Sequence, residues 1–231
     1  MATNPTETIE KIRLFTGLPP QHAAWITARL HTRVFPAGVD LIIAGTPGEA
    51  VYFILSGTVK VYMPQLDGRE VTVNLLGTGD TVGELSVIDA ASRSANVITL
   101  EETRVAWLSR SDFLEAIRTI PTLIDNLLRT LTGRVRTTTK QMQAFASLDI
   151  PGRIARQILV IAANYGVEQE DGLYIPLRLT QNEIAELVGA SRKRVNQVIV
   201  ALKRENAISI DLRWHITIHR RDLLERMSTR A

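Results

Sequence analysis

Two groups of polar residues in this 231-residue chain have types and spacings that could do chemistry. The first is Gly83-Glu84-Leu85, followed nine residues after Glu84 by Arg93 and Ser94. A glycine before a short helix presents backbone N–H groups to an anion, and arginine and serine add a charge-assisted bond and a hydroxyl. A carboxylate repels phosphate but accepts a hydrogen bond from a sugar hydroxyl. The spacing favours a ligand with both groups, although a simple turn in which Arg93 pairs with Glu84 is the alternative.

The second group lies near the carboxyl end, where basic residues are concentrated. The net charge of the chain is only +3, but residues 190–231 hold ten Lys and Arg against four Asp and Glu. Arginine can bond guanine bidentately, and asparagine or glutamine can bond adenine. The pattern favours a polyanion partner, with a solvated basic surface as the alternative. The polar residues of this group are Arg192, Lys193, Arg194, Asn196 and Gln197.

The residues around the second group predict a helix-turn-helix. Thr180 and Glu183 have the spacing of a capping box at the start of a first helix. Gly189 supplies the positive φ that a tight turn between crossed helices needs. Ser191 then caps a second helix over residues 192–204.

Two apolar segments after this helix pair, residues 207–210 and 215–218, predict a hairpin wing. In helix-turn-helix proteins the N-terminal part of the second helix enters the major groove of DNA. We therefore predict a DNA-binding surface. Its residues are Thr180, Gln181, Ser191, Arg192, Lys193, Arg194, Asn196 and Gln197.

The first group lies within a region that predicts β structure. Short apolar runs alternate with turn residues over 33–108, and this spacing indicates a compact barrel or sandwich. Asp67-Gly68 is a strong hairpin signal. We expect a short helix before the strands, over about residues 19–30, and another after them, capped by Ser111-Asp112.

A long helix is expected to connect the two regions, beginning at Pro121 and ending before Asp149, which caps the next helix. Its apolar residues are spaced as the a and d positions of a heptad, which favours a dimerising coiled coil over packing within one chain. Thr138 breaks the apolar seam, either as a tolerated or register-setting residue or because it meets a polar group at the dimer axis. The predicted dimer interface is Ile124, Leu128, Leu131, Val135, Thr138, Met142 and Phe145.

Composition excludes several classes of function. The chain has no cysteine, which removes disulfides, thiolate nucleophiles and cysteine-ligated metal centres. We find no nucleophile–base pair, metal-ligand cluster or P-loop, so we expect neither an enzyme nor a bound metal or cofactor. No signal peptide or apolar membrane span is visible, and a cytoplasmic protein is expected.

Taken together, these motifs resemble the CRP/FNR family of bacterial transcription regulators, and within it the cyclic AMP receptors. The resemblance extends from about residue 12 to residue 220 and includes Gly83-Glu84-Leu85, Arg93-Ser94-Ala95 and Thr180 through Leu202. It implies an α+β fold with an N-terminal cyclic-nucleotide-binding β-roll of jelly-roll type, a long dimerisation helix and a C-terminal winged helix-turn-helix. The corresponding domain boundaries are 1–120, 121–148 and 149–231.

The resemblance also implies roles for single residues. Arg93 and Ser94 would hold the cyclic phosphate, Glu84 would accept from the ribose 2′-hydroxyl, and the backbone of Gly83 and Leu85 would line the site. Thr138 would meet the adenine, and Thr139 of the partner subunit would meet it as well. The partners implied are a DNA operator, a cyclic nucleotide such as cAMP, a second copy of the chain and RNA polymerase.

The sequence departs from the receptor pattern in its second helix, where Lys193 replaces the usual Glu and Gln197 the usual Arg. Arg192 keeps a guanine-reading role, but the usual half-site is in doubt. The absence of cysteine excludes the iron–sulfur branch of the family. Two alternatives stay open: a ligand-independent regulator with a vestigial pocket, and a nucleotide sensor whose winged helix binds a protein.

Overall fold

Strands with buried and exposed residues in alternation build the first part of the chain, as the sequence predicts. The computed structural model describes residues 9–65 and 70–229. The chain divides into two units, residues 1–135 and 136–231. The strands of the first unit are β1 His31–Phe35, β2 Asp40–Ile42, β3 Ala50–Ser56, β4 Val59–Pro64, β5 Glu70–Leu76, β6 Thr81–Val82, β7 Asn96–Thr99 and β8 Thr103–Ser109.

These strands form two antiparallel sheets with the orders β1-β8-β3-β6 and β2-β7-β4-β5. Apolar side chains from both sheets meet in one buried cluster, which contains Ile54 and Val105 from the first sheet and Val59 and Val97 from the second. The inner faces of the sheets therefore pack on each other, and the predicted β-roll is confirmed. Asp67-Gly68 lies outside the described residues, between strands β4 and β5, which pair antiparallel up to Pro64 and Glu70.

Short helices accompany the sheets of the first unit: α1 Pro20–Thr27, α2 Glu84–Ile88 and α3 Arg110–Thr119. A second buried cluster joins α3 to the sheet through Phe113, Phe53 and Leu108. The predicted cap of α3 was wrong by two residues. Ser109 is the N-cap, and its hydroxyl accepts from the backbone N–H of Asp112 at 3.1 Å, because strand β8 runs directly into the helix.

The long helix α4, Pro121–Ser147, begins at the predicted proline. Leu123 and Leu127 are buried in the core of the first unit. Of the predicted seam, Leu131 packs partly on this same core, whereas Leu128, Val135 and Met142 are 56%, 66% and 68% exposed. An apolar stripe so open to water is costly in a single chain, and homodimerisation through it stays a prediction.

The second unit contains the end of α4 and a small winged domain. Asp149 caps α5, Ile150–Tyr165, by accepting from the backbone N–H of Gly152 at 2.8 Å. The remaining elements are β9 Val167–Gln169, β10 Gly172–Ile175, α6 Gln181–Val188, α7 Arg192–Arg204, β11 Ile208–Ile210, β12 Ile216–Ile218 and α8 Arg221–Met227.

The predicted wing is the β11–β12 pair, which is antiparallel with Ile208 opposite Ile218. The sequence did not predict β9, β10 or α8. Strands β9 and β10 extend the wing into a four-stranded sheet of order β11-β12-β10-β9. Of the helices that the structure describes, none has the length and apolar character needed to cross a membrane.

Candidate functional site

The first group of polar residues is organised around Gly83, which precedes α2. Its φ is +86°, a conformation that side chains other than glycine rarely adopt. A Cβ atom at this position would lie 2.6 Å from Nη1 of Arg93 and 2.8 Å from Cδ1 of Ile42. Both the backbone conformation and the close approach of Arg93 therefore require glycine at residue 83.

Arg93 is a buried cation, only 6% exposed. Its Nη1 donates to Gly83 O at 2.5 Å and to Ser86 Oγ at 2.9 Å, and its Nη2 donates to Ala50 O at 2.6 Å. These three bonds leave two of the five guanidinium N–H donors without an acceptor in the described part of the chain.

Burial lowers the pKa of Arg93, and the neighbouring Tyr52, Glu84 and Glu49 oppose that shift. The guanidinium remains a cation, because arginine is not deprotonated in proteins. A fixed cation with unused donors suits an anionic ligand.

Glu84 is also buried, at 2% exposure. Nη1 of Arg134 donates to its Oε1 in an ion pair, and Nη2 of the same arginine donates to Thr81 O. The second carboxylate oxygen, Oε2, is buried and has no hydrogen-bond partner among the described residues. An unpaired buried acceptor costs roughly 1–3 kcal/mol, and a ligand hydroxyl would remove that cost.

The simpler alternative for this group, in which Arg93 pairs with Glu84, is wrong. The carboxylate pairs with Arg134, and Arg93 bonds backbone carbonyls and Ser86. Arg134, which lies 50 residues from Glu84 in the chain, was not predicted from the sequence. The only available signal was its position on the predicted long helix, one turn before Thr138.

The other predicted ligand residues are accessible. Ser94 is exposed next to Arg93, and the side chain of Leu85 is half exposed on α2. Thr138 and Thr139 are exposed on the part of α4 that belongs to the second unit. Their role toward a ligand stays a prediction.

The second group lies on a helix-turn-helix whose local signals are confirmed. The backbone N–H of Thr180 donates to Oε2 of Glu183 at 2.9 Å, and the N–H of Glu183 donates to Oγ1 of Thr180 at 3.5 Å, which completes the capping box. Gly189 ends α6 with φ +60°. Ser191 caps α7 by accepting from the N–H of Arg194 at 3.3 Å.

Helix α7 separates apolar and polar residues onto different faces. Its buried residues are Val195, Val198, Ile199 and Leu202, as predicted. Arg192 and Lys193 are exposed, and their side chains have no hydrogen-bond or ion-pair partner among the residues that the structure describes. Their donors are therefore available to an external acceptor. The other exposed polar residues near the start of the helix are Arg194, Asn196 and Gln197.

Two side-chain bonds orient these exposed amides. Nε2 of Gln181 donates to Oδ1 of Asn196 at 2.9 Å, which links the start of α6 to α7. Nη1 of Arg194 donates to Oε1 of Gln197 at 3.1 Å. The predicted DNA-binding residues Gln181, Arg194, Asn196 and Gln197 thus form one polar surface.

The wing is fixed by a turn around Asp211. Its carboxylate accepts from the backbone N–H groups of Arg213 and His215, both at 2.8 Å. Burial alone would raise the pKa of Asp211, but the bonds from His215 and Arg213 outweigh burial and lower it. Leu212 and Arg213 are exposed at the wing tip.

Two family models match the chain. One describes a cyclic nucleotide-binding domain and covers residues 32–119, and the other describes a Crp-like helix-turn-helix domain and covers residues 152–227. The CRP-like cAMP-activated global transcriptional regulator of Mycobacterium tuberculosis is 34% identical over 205 residues, which are 89% of this chain and 92% of that protein.

Solved structures agree with this fold. FixK2 from Bradyrhizobium japonicum has a TM-score of 0.76 at 18% identity and covers 87% of this chain and 98% of its own. The c-di-GMP responsive global regulator CLP from Xanthomonas campestris has a TM-score of 0.68 at 23% identity, with 87% and 99% covered. At these identities the two structures bear on the fold alone.

Proposed function

The chain belongs to the CRP/FNR family of DNA-binding transcription regulators and carries a cyclic-nucleotide-binding domain, and from this premise we propose that it is a homodimer whose operator affinity is controlled by cyclic AMP. The observation that carries the proposal is the polar pocket of the first unit. It combines a buried carboxylate oxygen without a partner, Oε2 of Glu84, with a buried cation that has unused donors, Arg93.

The charges of the pocket match the two polar parts of a cyclic nucleotide. Arg93 and Ser94 would bond the cyclic phosphate, and Glu84 would accept from the ribose 2′-hydroxyl. The backbone of Gly83 and Leu85 would line the pocket. Thr138 and the partner subunit's Thr139 would contact the adenine, which gives a purpose to the polar break in the seam.

Arg134 suggests how ligand binding would affect the predicted dimer helix α4. Its ion pair with Glu84 connects α4 to the carboxylate that the ribose would use. A ribose hydroxyl that donates to Oε2 would therefore add a partner to the same carboxylate that holds Arg134 through Oε1. A ligand shifts a conformational equilibrium only by binding one state better, and this shared carboxylate is a contact that can differ between states.

The proposed partners are a double-stranded operator, a second copy of the chain and RNA polymerase, and the proposed location is the cytoplasm. Cyclic AMP is favoured because the Mycobacterium tuberculosis relative is described as cAMP-activated. The Xanthomonas campestris neighbour is described as c-di-GMP responsive, so this second ligand belongs in the test. A ligand-independent regulator and a sensor acting on a protein partner are the competing functions.

Calorimetric titration of the whole protein tests the sensor half, with cyclic AMP, cyclic GMP and c-di-GMP as ligands. We expect one cyclic AMP per subunit, and no binding by Glu84→Ala. Absence of binding by the wild-type protein would support the ligand-independent alternative. Tighter binding of c-di-GMP would reassign the ligand.

The DNA half is tested by fluorescence anisotropy with operator DNA at several salt concentrations. DNA binding should weaken steeply with salt, because phosphate contacts release counterions. We expect cyclic AMP to change the affinity of the wild-type protein and to leave that of Glu84→Ala unchanged. Affinity without salt dependence would favour a protein partner.

A further inference from the structure

A second cavity, separate from the nucleotide pocket, lies wholly within the second unit. It has a volume of about 210 Å³ and is bounded by the last turns of α4, by α5 and by the end of α6. An engineered apolar cavity of about 150 Å³ is large enough to bind benzene. The volume in this chain therefore admits a six-membered ring together with a small polar substituent.

The lining of this cavity is cationic on one side and apolar on the other. Lys140, Arg153 and Arg156 contribute positive charge, and no carboxylate belongs to the lining. In the described part of the chain, none of these three cations forms a salt bridge. The apolar side includes Phe145, Val160 and Leu187.

Arg153 has an unmet hydrogen-bonding requirement. Its Nε is buried and has no hydrogen-bond partner within residues 9–65 and 70–229. The guanidinium carbon lies 5.3 Å from the centre of the Phe145 ring, so the cation faces an aromatic group and no acceptor. A buried unpaired donor is unfavourable, and more so on a charged group. An anion in the cavity would satisfy it.

We propose that this cavity binds a small aromatic carboxylate. Its ring would pack on Phe145, Val160 and Leu187, and its carboxylate would accept from Arg153 and lie within the field of Arg156 and Lys140. Ring and charge are both needed, because an inorganic anion would leave the apolar side empty and a neutral ring would leave Nε of Arg153 unpaired. The proposal does not depend on the nucleotide pocket, which belongs to the first unit.

The probe for the test is 4-fluorobenzoate, followed by ¹⁹F NMR as it is titrated with the full-length protein. 4-Fluorobenzyl alcohol is the neutral control of the same shape. We expect saturable binding of the benzoate with a dissociation constant on the order of 1 mM, ordinary for a ligand of this size. The alcohol should bind about tenfold more weakly, since it lacks the charge-assisted bond. Equal binding of the two probes would overturn the proposal.

Two variants locate the site. Arg153→Gln should weaken benzoate binding about tenfold, while Arg204→Gln, an exposed arginine on α7 outside the cavity, should leave it unchanged. Val160→Phe keeps every charge and fills the cavity, so it should abolish benzoate binding. This variant keeps the proposal testable if Arg153→Gln fails to fold. Full binding by Val160→Phe would place the benzoate elsewhere and refute the site.

A last control separates this cavity from the nucleotide pocket. Glu84→Ala should bind 4-fluorobenzoate as the wild-type protein does, and excess cyclic AMP should not displace the probe. Loss of probe binding in either experiment would assign it to the nucleotide pocket and overturn the proposal. Failure of cyclic AMP binding in calorimetry, with benzoate binding intact, would count against the nucleotide proposal alone.

Discussion

The proposed nucleotide pocket of the first unit and the proposed DNA-reading surface of the second use charged residues in opposite ways. In the pocket, Glu84 and Arg93 are buried, and their contacts bridge 50 residues to Arg134 and 43 residues to Ala50. On α7 the basic residues are exposed, and their side-chain bonds reach only residues a few positions away in the chain. Buried charges are strongly coupled to the groups that hold them, whereas exposed pairs contribute little. Substitutions of the buried charges in the pocket should therefore disturb fold and function together, whereas substitutions on α7 should disturb function alone.

The largest effect is expected from Arg93→Ala. The substitution removes the cation that is proposed to bind the phosphate, and it leaves Gly83 O and Ala50 O without their arginine donor. Charge-assisted bonds contribute about 1.5–3 kcal/mol each, so we expect cyclic AMP affinity to fall by at least about a hundredfold. The unfolding midpoint of the first unit should fall as well. Calorimetry and thermal unfolding measure the two losses.

Ser94→Ala is the matched control for Arg93→Ala. It removes an exposed hydroxyl that is proposed to touch the phosphate, and we expect it to weaken cyclic AMP binding without lowering the unfolding midpoint. If Arg93→Ala left both affinity and stability intact, the pocket would be misassigned and the contrast between the two regions would disappear.

The next effect in size concerns Arg134→Gln, which removes the ion-pair partner of buried Glu84. Breaking one side of a buried pair costs about 3–5 kcal/mol, and because Arg134 is itself 29% exposed we expect nearer about 2 kcal/mol. Urea unfolding of the first unit measures the loss. Arg136→Gln, an exposed arginine on the same helix, is the control and should change little.

A double variant tests whether the cost comes from the unpaired carboxylate. Adding Glu84→Gln to Arg134→Gln removes the buried charge and should recover part of the stability. Simple addition of the two single losses would show that Arg134 stabilises the unit through its bond to Thr81 O or its packing, with no coupling to Glu84.

The separation along the chain between contacting residues also explains what could be predicted from the sequence. The capping box of Thr180 and Glu183, the turn at Gly189 and the cap at Ser191 each depend on residues a few positions apart, so local spacing predicts them. The cap at Asp149 and the start of α4 at Pro121 were predicted from the sequence for the same reason. Strands β9 and β10 were missed because they are short: β9 is exposed throughout, and β10 takes its place in the sheet by pairing with distant β12 of the wing.

The pocket was predictable only in part. The sequence indicated Gly83, Glu84 and Arg93, but the partners that decide their roles come from distant elements. Arg134 reaches Glu84 only because α4 packs on the β-roll, and Ala50 O accepts from Arg93 only because β3 passes beside it. Which of two cations pairs with Glu84 is thus a property of the tertiary fold.

A smaller effect, without loss of stability, is expected from Arg192→Ala on the reading surface. Its exposed guanidinium has no partner within the described chain, so its removal should not change unfolding. If it reads guanine, the loss is about 1–3 kcal/mol of operator affinity, confined to one base pair. Anisotropy with operators substituted at single positions measures it. A uniform loss on every sequence would make Arg192 a phosphate contact.

The smallest effect concerns the wing turn, through Asp211→Asn. Because Asp211 is 46% exposed, the loss should be below about 1 kcal/mol after solvent screening. It should appear as faster amide hydrogen exchange at Arg213 and His215, whose N–H groups donate to the carboxylate, with exchange in the first unit unchanged.

The pH dependence of this loss has a definite sign. The pKa of Asp211 is lowered in the fold, so its contribution is complete above the unfolded value of about 3.9 and is lost only as pH falls through the lower folded value. The difference in protection between wild type and Asp211→Asn should stay constant from about pH 8 to pH 5. His215 faces the carboxylate at 3.1 Å, so the comparison is repeated in His215→Gln. A difference that still declines within this range would mean that Asp211 titrates higher than its hydrogen bonds allow.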